Sequence, residues 1–107
     1  MNRKSAHKDY LFRAILSLRT IDECYDFFED LCTVKELDEM AKRIRVAKLL
    51  TENKVYSEIL EEPGNLTAST ATISRVNRCI KYGGGGYKKI LDRLDEAGVA
   101  LPDAGQE

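Results

Sequence analysis

The stretch Thr70-Ala71-Thr72-Ile73-Ser74-Arg75-Val76-Asn77-Arg78-Cys79-Ile80-Lys81 decides how this chain is read. At about 100° per residue, Ile73, Val76 and Ile80 fall within one narrow apolar arc. Thr70, Ala71, Ser74, Arg75, Arg78 and Lys81 gather on the other side, small toward the start and basic toward the end. This pattern predicts an amphipathic helix over 69–81. Just upstream, residues 56–62 read as a short helix with Ile59 and Leu60 facing inward. Pro63-Gly64-Asn65 ends it, since that tripeptide is strong turn chemistry. A short helix, a glycine-containing turn and a second amphipathic helix make the helix-turn-helix pattern over 55–81.

The rest of the chain is helical too. Tyr10, Leu11, Ala14, Ile15 and Leu18 recur at helical spacing. Thr20 offers a cap for a second run, Ile21, Cys24, Tyr25 and Phe28. Thr33, with Glu36 three residues on, forms a capping box for a long central helix over 33–53. That helix carries Leu37, Met40, Ala41, Ile44 and Ala47 on one stripe. Gly83 to Gly86 stop the helix at 81. A last helix over 87–97 uses Tyr87, Ile90, Leu91 and Leu94 as its apolar face. Gly98 terminates it, and residues 99–107 read as a frayed tail. The fold class is all-α, with no strand and no internal repeat.

A chain of 107 residues, 43% hydrophobic and 33% charged, suits one domain. Its three cysteines are widely spaced and His7 is the only histidine, so neither a disulfide framework nor a structural zinc site is expected. No apolar run approaches the ~20 residues that span a bilayer, and no signal-peptide pattern opens the chain. The expected location is a reducing cytoplasm.

The net charge of −1 hides an asymmetry. Residues 66–91 hold five of the 17 basic residues (Arg75, Arg78, Lys81, Lys88 and Lys89) and none of the 18 acids. A polyanion responds to local potential rather than to the total. Small residues let the start of the helix at 69–81 approach base edges in a major groove. The hydroxyls of Ser69, Thr70 and Ser74 can bond bases or phosphates, and Arg75, Arg78, Lys81 and Lys88 can grip phosphates, or Arg78 could read a guanine. The same basic face could instead dock another protein, in a helical interaction module. An enzyme is third, because nothing pairs a nucleophile with a base or gathers metal ligands.

Thr70-Ala71-Thr72-Ile73-Ser74-Arg75 resembles the recognition-helix start of the Trp repressor family. Thr33 with Arg43-Ile44-Arg45-Val46 resembles that family's central helix, and the Tyr82-to-Tyr87 stretch is similar to a group of Trp-repressor-related bacterial proteins. The resemblance runs from about Leu31 to Leu94. It implies a six-helix fold and an intertwined homodimer, with residues 1–32 as dimerisation helices. It also implies that two copies of the helix at 69–81 enter successive major grooves of a pseudo-palindromic operator, as in a repressor. The chain departs from the family in a longer turn at 63–68, and in Ser57 and Leu60 where basic residues are frequent.

The resemblance further implies an effector pocket. In the Trp repressor the indole lies between arginines that match Arg43 and Arg75, and threonines matching Thr33 and Thr72 line the site. Val76, however, stands where the repressor has a glycine, and Cys79 where it has a serine. A valine side chain would intrude on the ring, and close-packed sites do not absorb extra methyls freely. L-tryptophan is therefore disfavoured as a cofactor, and a different small effector, or none, is expected. The residues alone leave open that Arg43 and Arg75 pair with Glu36, Asp38 or Glu39. Cys79 could be redox-sensitive beside Arg75 and Arg78, but a buried or half-buried structural role is expected. Gly83 to Gly86 lack the ending of a phosphate loop. The start of the last helix could still touch a DNA phosphate, with Lys88 and Lys89 beside it. Adjacent carboxylates such as Glu61 and Glu62 do not converge.

Overall fold

Hydroxyl caps set where most of the helices begin. Ser5 Oγ accepts the Lys8 N–H at 3.1 Å and opens α1 (Ala6–Leu16). Thr20 Oγ1 accepts the Glu23 N–H at 3.1 Å and opens α2 (Ile21–Leu31). The expected capping box is present at α3 (Val34–Thr51): the Glu36 N–H donates to Thr33 Oγ1 at 3.1 Å and the Thr33 N–H to Glu36 Oε1 at 2.9 Å. Two orphan donors are thereby satisfied at once. The short α4 (Tyr56–Leu60) follows, then α5 (Thr70–Tyr82) and α6 (Gly86–Glu96).

These six helices, with no strand, are what the computed structural model shows among the residues it describes, 3–61 and 68–103. No helix among them is long and apolar enough to cross a membrane. The Pro63-Gly64-Asn65 turn lies outside the described residues.

Two helix ends follow one local rule. Asn53 adopts φ 64°, its N–H bonds Leu50 O at 3.1 Å, and the Lys54 N–H bonds Leu49 O at 3.1 Å. Gly98 adopts φ 74°, its N–H bonds Asp95 O at 3.0 Å, and the Val99 N–H bonds Leu94 O at 2.9 Å. Both are Schellman closures with a left-handed residue just past the helix. The first stops the central helix at Thr51, slightly short of the expected boundary.

The chain falls into two compact units, Met1–Leu37 and Asp38–Glu107, divided one turn into α3. In the first, neither α1 nor α2 buries a residue, and Tyr10, Phe12, Leu16, Ile21 and Tyr25 are all exposed. The second holds a core of Val46, Ala47 and Leu49 from α3, Ile59 from α4, Ala68 just ahead of α5, Ile73 and Val76 from α5, and Leu91 from α6. Leu50, Tyr56, Ile80, Tyr87, Leu94 and Leu101 pack around it.

The expectation of a frayed tail is corrected as far as Asp103. Leu101 packs on the core, and Arg45 Nη1 donates to Pro102 O at 2.7 Å. Lys48 Nζ reaches Asp95 Oδ1 at 2.7 Å and ties α3 to α6. Val99, Ala100 and Leu101 are apolar enough to repay folding back, a tertiary effect that helical periodicity does not register.

Two outcomes are expected here. Ile73→Ala should lower unfolding free energy in urea by about 2–5 kcal/mol, the range for emptying a fully buried aliphatic site. Thr33→Ala should cost about 1 kcal/mol, as lost caps do. The Thr33 backbone N–H, and then its hydroxyl, hold the Glu36 carboxyl below its ordinary value of 4.5. A lowered folded-state pKa adds stability above the ordinary value and loses it as pH falls through the folded one. An NMR titration of Thr33→Ala should therefore show Glu36 moving up toward 4.5.

Candidate nucleic-acid interface

Ser69 caps α5, and its cap is closed on itself. Ser69 Oγ accepts the Thr72 N–H at 3.1 Å and lies 3.1 Å from Thr72 Oγ1. Both hydroxyls are thus spent on starting the helix. Thr70 and Ser74 make no such bond among the described residues.

The rotation of α5 is set by its buried side. Ile73 is 0% and Val76 1% exposed, with Ile80 half-buried. Thr70, Ala71, Ser74, Arg75, Arg78 and Lys81 are exposed, so one side of the helix is closed by the core and the other is open. Arg75, Arg78 and Lys81 follow one another at three-residue spacing. Like charges so placed repel by about 0.2–0.5 kcal/mol per pair in an isolated helix. Among the described residues no acid relieves them: none of the three has an ion pair or hydrogen bond there. Lys81 in the last turn gains something from the helix dipole. An outside anion would relieve the rest.

Beyond α5 the chain turns through Gly83 to Gly86. A Cβ on Gly83 would lie 2.4 Å from Cys79 O, whereas one on Gly84 or Gly86 would meet nothing within 4 Å. Gly85 caps α6 with φ 83°, a left-handed conformation that glycine adopts without steric cost. The next turn carries Lys88 and Lys89, both exposed. Lys88 Nζ pairs with Asp92 Oδ2 at 3.0 Å, one turn along α6. Lys89 has no such partner among the described residues. Sequence reasoning placed Lys88 among the DNA contacts with Lys89 beside it, and overlooked the ion pair of Lys88 because Asp92 falls just past the acid-free window.

The six residues expected to form an effector pocket have separate tasks. Thr33 is engaged at the start of α3, and Thr72 with Ser69. Val76 lies in the core. Arg43 is half-buried, and its Nε is shut from solvent without a hydrogen-bond acceptor. Arg75 is exposed, and Glu39 pairs with Lys42 at 3.5 Å rather than with either arginine. Cys79 is exposed, which corrects the expectation of burial. It stands at the edge of the apolar arc, where neighbouring elements rather than residue type decide exposure. No group of three or more metal-ligating side chains occurs among the described residues.

The family described as Trp repressor protein matches this chain over residues 6–95. The uncharacterised Bacillus subtilis protein YerC is 51% identical over 88 residues, covering 82% of each chain. The crystal structure of a Staphylococcus aureus protein described as a candidate Trp repressor superposes with a TM-score of 0.80 at 47% identity, covering 86% of this chain and 89% of that one. A TrpR-like protein from Eubacterium eligens gives a TM-score of 0.80 at 49% identity, covering 86% and 92%.

With Val76 given over to the core, millimolar L-tryptophan should leave the melting temperature unchanged. A ligand at a hundred times its dissociation constant would add about 2.7 kcal/mol, a shift that calorimetry resolves.

Proposed function

The chain belongs to the Trp repressor family, and from that premise we propose that it is a sequence-specific, homodimeric DNA-binding regulator of transcription, acting as a repressor. Regulators of this family are not enzymes, and neither is this chain. The observation that carries the reading is the outward face of α5. It is exposed, free of acids, small at its start and cationic toward its end. It is also held on a helix whose other side is locked into the core.

In this reading α4 and α5 are the two helices of a helix-turn-helix. Thr70, Ala71 and Ser74 approach base edges in the major groove, and Arg75, Arg78 and Lys81 hold the phosphates that flank them. Ser69 contributes by shaping the start of α5 rather than by its own hydroxyl. Lys89 joins Lys88 on the backbone side. Two copies reading half-sites one helical turn apart would require a pseudo-palindromic operator. The uncovered apolar faces of α1 and α2 supply the reason for pairing. The site of action would be the bacterial cytoplasm, where the chromosome lies.

Selection of duplexes from a randomised pool tests this directly. Wild type should enrich a two-fold symmetric site, with affinity falling steeply as salt rises because bound counterions are released. Ser74→Glu/Arg78→Ala should lose that site, with affinity down about tenfold or more, since one good base contact is worth ~1–3 kcal/mol. Equal and unselective binding by both proteins would overturn the reading in favour of a protein partner for the same face.

A further inference from the structure

The helix that carries the reading face runs one residue further than its sequence pattern predicts. α5 ends at Tyr82, and the Gly83 N–H closes the last turn on Cys79 O at 2.9 Å, so Tyr82 keeps the helical register. With Thr70 at zero on a helical wheel, Tyr82 falls at about 120°, between Arg78 at about 80° and Arg75 at about 140°. It therefore stands on the outward face, opposite the buried arc of Ile73 and Val76. Tyr82 is 82% exposed, whereas Tyr56 and Tyr87, the other tyrosines of the second unit, pack against the core. Among the described residues its phenol has no hydrogen bond and its ring no aromatic contact. Gly83 to Gly86 follow, so the next four positions carry no side chain. A Cβ on Gly84 or Gly86 would meet nothing within 4 Å, which leaves the approach to Tyr82 open on that side.

We propose that Tyr82 is a further DNA contact, its hydroxyl donating a hydrogen bond to a backbone phosphate of the duplex. This inference rests on the DNA-binding reading of α5 and adds the residue that ends its footprint. A recognition helix offers its first turn to base edges. α5 has 13 residues, which puts Tyr82 about 18 Å along the axis from Thr70. That separation exceeds both the ~12 Å width and the ~8.5 Å depth of the major groove. With the first turn at the bases, the last turn is therefore at the sugar–phosphate wall. A phenol suits that place, because it donates to a phosphate oxygen without carrying charge. It adds a grip to the row of Arg75, Arg78 and Lys81 without adding to their mutual repulsion.

Duplexes with single neutralised phosphates test this. The probe is the symmetric duplex that wild type selects from the randomised pool, with a methylphosphonate replacing one phosphate at a time. Tyr82→Phe removes the hydroxyl and keeps the ring, and Tyr82→Ala removes both. Both variants should melt at the wild-type temperature, since an exposed side chain contributes little to the fold. On the unmodified duplex Tyr82→Phe should bind about tenfold more weakly, the size of one hydrogen bond to a charged group. The loss should be equal on mismatched duplexes, because a phosphate carries no base identity, and the salt slope should hold, because no cation has gone. At one position in each half-site, the methylphosphonate should weaken wild type markedly more than Tyr82→Phe. Tyr82→Phe binding as tightly as wild type would overturn the inference. A loss in Tyr82→Ala alone would assign the contact to the ring, and a loss confined to particular base sequences would assign it to a base edge. A lowered melting temperature in Tyr82→Phe would give the residue to the fold instead. A wild type that selects no duplex removes the regulator reading as well, whereas a selective wild type matched by Tyr82→Phe removes only this contact.

Discussion

Burial of Ile73 and Val76 is the constraint on which the candidate interface depends. A helix bearing a reading face is useful only if its rotation is fixed. Here rotation is fixed by two β-branched side chains with almost no exposed surface, each of which gains about 1.5–3 kcal/mol from leaving water. Turning α5 by even one residue position would bring Arg75 or Asn77 toward the core. Burying an unpaired guanidinium there is far costlier than any contact it could gain. The apolar arc thus orients the polar one. The rest of the second unit, including Ala47, Ile59 and Leu91, forms the surface against which α5 is registered.

The same helix shows why charge has to be judged locally. Among the described residues Arg75, Arg78 and Lys81 have no ion pair, whereas Lys42 pairs with Glu39, Lys48 with Asp95 and Lys88 with Asp92. A face on which neighbouring cations are left bare places positive potential where an anion can arrive. α2 has the opposite bias, with five acids and no base among its 11 residues. Between them the two regions explain how a nearly neutral protein can carry strongly polar surfaces.

Much of this could be read from the residues, because the governing interactions are local. Thr33 and Glu36 are three apart, and their reciprocal bonds follow from that spacing. The two arcs of α5 need only the helical period. Other features escaped for physical reasons. The return of the chain over α3 depends on Arg45 meeting Pro102, 57 positions away. Exposure of Cys79 depends on what packs beside α5, and statistics for cysteine carry no such information. Sequence reasoning on the effector site could name Arg43, Thr72 and Val76, but not that Thr72 would be committed to Ser69. The pairing of Lys88 with Asp92 was within reach at a spacing of four. It was missed because the acid lies just outside the basic window.

The four consecutive glycines are not equivalent, and this bears on how the chain can drift over generations. Gly83 has a backbone oxygen where a side chain would begin, and Gly85 needs its left-handed turn, while Gly84 and Gly86 face open space. In a lineage under purifying selection, the first and third glycines should stay put while the second and fourth wander. The tract would then read in descendants as an alternating pattern of invariant and variable positions, written by sterics rather than by any ligand.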